Sequence, residues 1–578
     1  MLKYLRKRDW LYVLITTVLI VLQVWLDLKM PDYTSKLTTT VSGGGVKMKD
    51  VWHNGGLMLL CAVGSMASAI ICGYFIARIA SSYSRNLKQA TFEKISSFSS
   101  NEMKKFSTPS LITRTTNDVS NIQMFIAMGL QALIKAPILA TWAICKISST
   151  SIEWTMATII CVVVIVAVVG LIVALCLPKF KRIQKLIDNV NNATRENISG
   201  VRVVRAFNAE QYQQTKFEKA NSELTNNQLF TAKIMGIMSP LMTVCMNGLM
   251  LSIYWIGAFL MNKAVVFERA KIIGDMTAFT QYALQVVMAF MMLIMIFIFL
   301  PRAIVSSKRI NEVLKTNVAI SDGKGVSNNV TGKVEFRNVS FKYYDGNNEV
   351  ISNISFVANK GETVALIGAT GCGKTTIIDL IPRFYDVDKG EVLVNDVNVK
   401  DYVFEDLQDK IAIVSQKAVL FKGDIKSNIT YGSKVEVADD DERIVKALKV
   451  AKADFVNNLD NGIKSEVAQG GTNFSGGQKQ RLSIARAVFK NPEILIFDDS
   501  FSALDYKTDK EVRDNINKEL NDKTIIIVAQ RIGTIRNADK ILVIDDGKIV
   551  GTGKHEELLQ SCELYKEIAL SQLSEEEL

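Results

Sequence analysis

Six long, nearly charge-free stretches, at about 11–30, 56–79, 124–145, 155–177, 234–260 and 277–300, limit what the first 313 residues can become. A helix needs about 20 mostly apolar residues to cross a hydrocarbon core about 30 Å thick. Lipid offers no partner to an open N–H or C=O, so each stretch is expected to be a helix. Basic residues then set the orientation. Lys3, Arg6, Lys7 and Arg8 precede the first stretch, and Arg78, Arg85, Lys88, Lys94, Lys104 and Lys105 follow the second. Lys179, Lys181, Arg182 and Lys185 follow the fourth, and Arg302, Lys308 and Arg309 follow the sixth. In a six-span arrangement all these groups fall on one side, which is therefore cytoplasmic. Lys263, Arg269 and Lys271 lie on the other side and weaken this bias without reversing it. The first stretch is too long for a signal peptide and lacks a small-residue cleavage site.

These flanks explain most of the formal net charge of +10, so a basic chain here implies a lipid bilayer and no nucleic-acid partner. Six of the eight cysteines lie in or beside the apolar stretches and Cys372 sits in a glycine-rich loop, a pattern of reduced thiols rather than a disulfide framework. The long connectors 80–123 and 178–233 read as helices that continue beyond the membrane. Residues 314–331 are polar and rich in Gly, Ser and Asn, and read as a linker. The expected fold is thus an α-helical six-span transmembrane domain (1–313) followed by an α/β domain with a P-loop nucleotide site (332–578).

The P-loop is complete. The apolar strand Val364 to Ile367 runs into Gly368-Ala369-Thr370-Gly371-Cys372-Gly373-Lys374-Thr375-Thr376, and Ile377 to Leu380 then opens a helix. Strand, G-x-x-x-x-G-K-T and helix in that order form a phosphate cradle. The glycines let backbone N–H groups turn inward, Lys374 would reach the β and γ phosphates, and Thr375 would coordinate Mg²⁺. A second apolar strand, Ile494 to Phe497, delivers Asp498 at its carboxyl end, the form a Mg²⁺-binding carboxylate takes. Ser475-Gly476-Gly477-Gln478, before the helical run Leu482 to Val488, makes a helix entry with free N–H donors, which suits an anion.

The P-loop, S-G-G-Q-K-Q-R-L and the I-F-D strand, in this order and spacing, resemble the ATP-binding cassette of ABC transporters. Behind six spans, the whole resembles an ABC exporter half-transporter. The resemblance implies that ATP and Mg²⁺ are the cofactors, that Tyr343 stacks on adenine, and that Gln416 contacts Mg²⁺ and senses the membrane domain. It implies a dimer whose sites each join one chain's P-loop (Gly368, Gly371, Gly373, Lys374, Thr375, Thr376) to the other chain's Ser475 to Gln478. Coupling helices are expected near 107–118 and 205–213.

Two hydrolytic positions depart from the family, and Gln469 also stands where a glutamate is common in the loop facing the coupling helices. Hydrolysing cassettes place Glu after the Mg²⁺ aspartate, and here it is Asp499, one methylene shorter. A general base must sit about 2.6–3.2 Å from its proton, and losing such a group costs about 10²–10⁴ in rate. The family's switch histidine is here Gln530, whose amide can donate but cannot carry a proton. Drift would explain either change alone. Both together, with the nucleotide-binding residues kept, resemble the degenerate-site subunit of a heterodimeric exporter, whose partner chain would carry the missing Glu and His.

Cargo is less legible. Lys135 lies mid-span beside Pro137, and an intramembrane cation faces a cavity or a partner. Gln281, Gln285, Met288 and Met292 cluster in the sixth span. Methionine surfaces adapt to varied apolar shapes, which suits a pathway for lipophilic small molecules of the multidrug type. Packing between helices is the other reading, and a lipid or peptide exporter, or an ATP-gated channel, remain the alternative functions.

Overall fold

The computed structural model describes residues 2–43, 48–148, 152–326, 328–343, 346, 348–433 and 440–572. The chain divides into two compact units, Met1–Ser96 with Thr108–Thr316, and Ser97–Ser107 with Asn317–Leu578.

Among the described residues of the first unit, six helices are long and apolar enough to cross a membrane. They belong to α1 (Lys7–Ser42), α2 (Met48–Ser96), α5 (Asn117–Ser148), α6 (Ile152–Ser199), α8 (Glu210–Lys263) and α9 (Val266–Lys315). Short helices α3 (Ser100–Phe106), α4 (Thr108–Thr115) and α7 (Val201–Ala206) lie at the reversals. At 1.5 Å per residue the 49-residue α2 is roughly 70 Å long, far more than the bilayer needs. The connectors after the second and fourth spans are therefore largely helix. α1 packs on α2 and α9, α5 packs on α9, and α6 and α8 pack chiefly on each other.

The reversal near residue 100 differs from the expectation of a coupling helix at 107–118. The segment that joins the second unit is Ser97–Ser107, whereas Thr108–Thr115 stays with the membrane helices. Ser99 and Glu102 explain the local break: Glu102 accepts from the Ser99 N–H at 2.8 Å, and Ser99 Oγ accepts from Asn101 N–H at 3.3 Å. This capping box starts α3 afresh, and Ser107 ends it with φ of 55°. At the other reversal, Phe207 to Ala209 separate α7 from α8, within the expected 205–213.

The second unit is built on a 6-stranded sheet in the order Lys548–Gly553, Lys540–Asp545, Thr363–Ile367, Thr524–Val528, Ile494–Asp498, Ile411–Val414. All neighbours are parallel except the first pair. Alternate residues of the central strands enter different cores. Leu366, Ile496 and Ile526 join one, and Ile367, Phe497 and Ile527 join the other. A sheet covered on both faces needs strands that are apolar throughout, which is why these segments show no polar alternation. Each fully buried Ile there contributes about 1.5–3 kcal/mol. An antiparallel 4-stranded sheet, which includes Val334–Phe341 and Ile351–Ala358, flanks this core. The residues read as a linker are partly docked: Gly323 N–H donates to Tyr402 O at 2.9 Å. A Cβ on Gly323 would come within 2.4 Å of the Asp401 carbonyl carbon, so the approach needs glycine.

Candidate nucleotide site

Strand register assembles the site. Val528 stands opposite both Leu366 and Asp498. The three segments that leave the carboxyl edge of the sheet therefore start side by side: the P-loop, Asp499 and Gln530. In the P-loop, a Cβ on Gly368 would lie 2.0 Å from Ile544 O, and Gly373 has φ of 101°. Both positions need a residue without a side chain. Lys374 is buried, and its Nζ donates to Gly368 O at 2.9 Å and Ala369 O at 2.7 Å. Its ammonium is thus held over the loop itself.

Thr375 Oγ1 lies 3.2 and 3.4 Å from the two carboxylate oxygens of Asp498. Mg²⁺ takes oxygen ligands and binds through one or two carboxylates plus substrate phosphates. A hydroxyl and a carboxylate converging at the loop mouth fit it. Burial pushes the Asp498 carboxyl above its ordinary range, and the Thr375 hydrogen bond opposes this. Behind it, burial and then the Asp498 charge push Asp379 up to about 6. Asp379 was not anticipated, because one carboxylate in a helix carries no signal until its burial is known.

Tyr343 stands beside the loop, with its hydroxyl 3.0 Å from Thr376 Oγ1 and its ring edge-on to Phe341 and Tyr385. Lys104 Nζ lies 4.2 Å from the Tyr343 ring centroid and 5.2 Å from that of Tyr385. An ammonium over an aromatic face is a cation–π contact. Lys104, read in the sequence only as a flanking charge, thus belongs to the second unit.

Beyond the Ile494–Asp498 strand, Asp499 is buried, with φ of 45°. Its Oδ2 accepts from Gln416 Nε2 at 3.1 Å and from Gln530 Nε2 at 3.0 Å. Gln416 thus turns its N–H₂ to Asp499, which leaves its amide oxygen as the group it could offer a cation. Burial raises the Asp499 pKa, and the Gln416 hydrogen bond opposes this. A cavity of about 560 Å³ lined by Asp499, Gln530 and Tyr506 opens beside the pair.

Ser475 and Gln478 cap the helix Gly476–Lys490 reciprocally: Gln478 Oε1 accepts from Ser475 N–H at 2.8 Å, and Ser475 Oγ accepts from Gln478 N–H at 3.3 Å. A Cβ on Gly477 would lie 3.3 Å from Ala503 O, so this turn neighbours the Ser502 to Asp505 loop.

The pattern of the ABC transporter transmembrane region matches residues 13–290, and a second pattern, described as ABC transporter, matches 351–502. An uncharacterized ABC transporter ATP-binding protein of Mycobacterium tuberculosis is 39% identical over 520 residues, covering 89% of this chain and 87% of its own. The chain belongs to the ABC transporter family. The transporter has the fold of an ABC exporter half-transporter, six apolar helices followed by an ATP-binding domain, and is an ATPase coupled to transport. Cassettes of this family bind ATP, normally with Mg²⁺, and half-transporters typically dimerise in the bilayer. An ATP-dependent lipid A-core flippase of Pseudomonas aeruginosa is 30% identical over 508 residues, 87% of the transporter and 82% of the flippase. In fold, the transporter matches a bacterial Atm1-family ABC exporter with ATP bound, with a TM-score of 0.82 over 98% of this chain and 100% of that one, at 24% identity.

The candidate pathway residues separate. Lys135 Nζ lies 3.3 Å from Asp27 Oδ2, and Gln285 Nε2 donates to Asp27 O at 3.2 Å. Asp27 thus joins these two. Gln281 is half-buried, Met292 packs on the bundle core, and Met288 is 53% exposed. Asp27 escaped notice because one carboxylate does not interrupt an apolar span. Its lysine partner is 108 positions away.

Proposed function

We propose that the transporter is the hydrolysis-impaired half of a heterodimeric exporter, which binds ATP at its own P-loop and lends Ser475 to Gln478 to its partner's site. The carrying observation is the Asp499 carboxylate, one of whose oxygens accepts from both Gln416 and Gln530. An amide donates a hydrogen bond but does not take up or release a proton near neutral pH. The shorter carboxylate is thus engaged by two such donors, and no imidazole stands with them. The chain has 2 histidines: His53 lies in α2, and His555 is buried against the Tyr565 hydroxyl at 2.8 Å. On this reading Mg²⁺ would be held by Thr375, Asp498 and Gln416, and adenine by Tyr343. The chain purified alone is expected to bind ATP yet hydrolyse it slowly. Fast turnover that persists in Asp499→Ala would defeat the proposal.

The cargo of this reading is a lipophilic compound. A second form, export of a lipid-like amphiphile, is favoured by the ion pair of Lys135 with Asp27 inside the bundle and by the name of the Pseudomonas relative. Charges are costly among apolar helices unless paired or facing a polar ligand.

A further inference from the structure

A polar cavity of the membrane unit lies toward the far end of α1. It has a volume of about 400 Å³ and is bounded by α1, α5 and α9. Asp32 lies 21 residues beyond Leu11, about 30 Å along the helix, which is the thickness of a hydrocarbon core. The cavity thus sits at headgroup depth, on the face opposite the Lys/Arg-rich amino terminus.

Its lining carries Lys29, Lys36 and Lys146 against Asp32 and Asp275, an excess of one positive charge. One carboxylate serves most of the donors. Lys146 Nζ lies 2.9 Å from Asp32 Oδ2, Lys29 Nζ lies 3.8 Å from the same oxygen, and the Tyr282 hydroxyl donates to Oδ1. Asp275 accepts instead from Ser35 Oγ at 3.3 Å. The wall next to Tyr282 is apolar, formed by Ala278 and Phe279. Further down α1, Leu14, Val18, Leu22 and Trp25 are exposed, as on a face that meets acyl chains. A site with one surplus cation and an apolar wall at headgroup depth fits a ligand with one negative head and an apolar tail.

We propose that this cavity binds the acidic headgroup, phosphodiester or carboxylate, of an amphiphile, with Lys146 and Lys29 transferred from Asp32 to the ligand while Tyr282 keeps Asp32. The proposal rests on the amphiphile reading of the cargo. Lysine to phosphate is a charge-assisted hydrogen bond, stronger than a neutral one.

The test uses the full-length transporter in neutral detergent, with fluorescent phosphatidylglycerol as probe and no ATP. Unlabelled phosphatidylglycerol is expected to displace the probe about tenfold better than zwitterionic phosphatidylcholine, and sodium phosphate at the same concentration is expected not to displace it. This series needs no variant. Lys146→Gln is expected to weaken the probe about tenfold, and Lys146→Arg to retain it. Equal displacement by phosphatidylcholine, displacement by sodium phosphate alone, or unchanged binding in Lys146→Gln would each overturn the site. Because ATP is absent, the activity of the Asp499 pocket has no bearing on the outcome. ATP-driven movement of the same lipid in vesicles holding both chains tests the cargo separately.

Discussion

The two ends of the nucleotide pocket were built to different standards. At the P-loop end each feature matches phosphate binding: glycines where a Cβ would collide, a buried lysine held over the loop, a hydroxyl beside a carboxylate. At the hydrolytic end the groups fit together too, but with each other. Gln416 and Gln530 both donate to one oxygen of Asp499, and neither amide can carry a proton. On the function proposed above, affinity and turnover separate on one sheet edge, because phosphate is held by fixed backbone and cations, whereas water activation depends on the reach of one carboxylate.

The strongest attempt to break this contrast restores the absent chemistry. Asp499→Glu combined with Gln530→His is expected to raise the phosphate-release rate of the purified chain by about 10²–10⁴. No change would mean that something other than these side chains limits turnover. Next in size, Lys374→Ala is expected to weaken ATP binding about 10- to 100-fold, read with a fluorescent ATP analogue, since about 1.5–3 kcal/mol goes with a charged hydrogen bond. Tyr343→Ala comes third, at about tenfold, the scale of stacking a base on an aromatic ring. The smallest effect sharpens the contrast most. Gln530→Ala is expected to change ATP affinity about twofold or less, because its amide is occupied by Asp499. A large loss there would place Gln530 in binding.

The membrane unit and the cassette were unequally legible. Apolar length alone announced the six helices, and the P-loop announced its strand and helix, because both signals are local. The start of α3 was also local, in the Ser99 to Glu102 capping box, yet it passed unread within a charged connector. No local signal could have revealed the grouping of Asp27 with Lys135, or of Lys104 with Tyr343. A lone charge in a sequence has the same appearance whether it is solvated, paired or stacked on a ring.

By itself the sequence determined the six spans, the α/β cassette with its P-loop and the identities of the residues at its nucleotide edge. These follow from helix length in lipid, from strands apolar on both faces, and from glycines that backbone geometry requires. Only the tertiary structure decided what Asp499 touches, since its partners lie 83 and 31 positions away and strand register alone brings them within 3.1 Å. It alone decided that the charges of α1 meet the lysines of α5, because burying an ion among apolar helices makes the nearest opposite charge its partner.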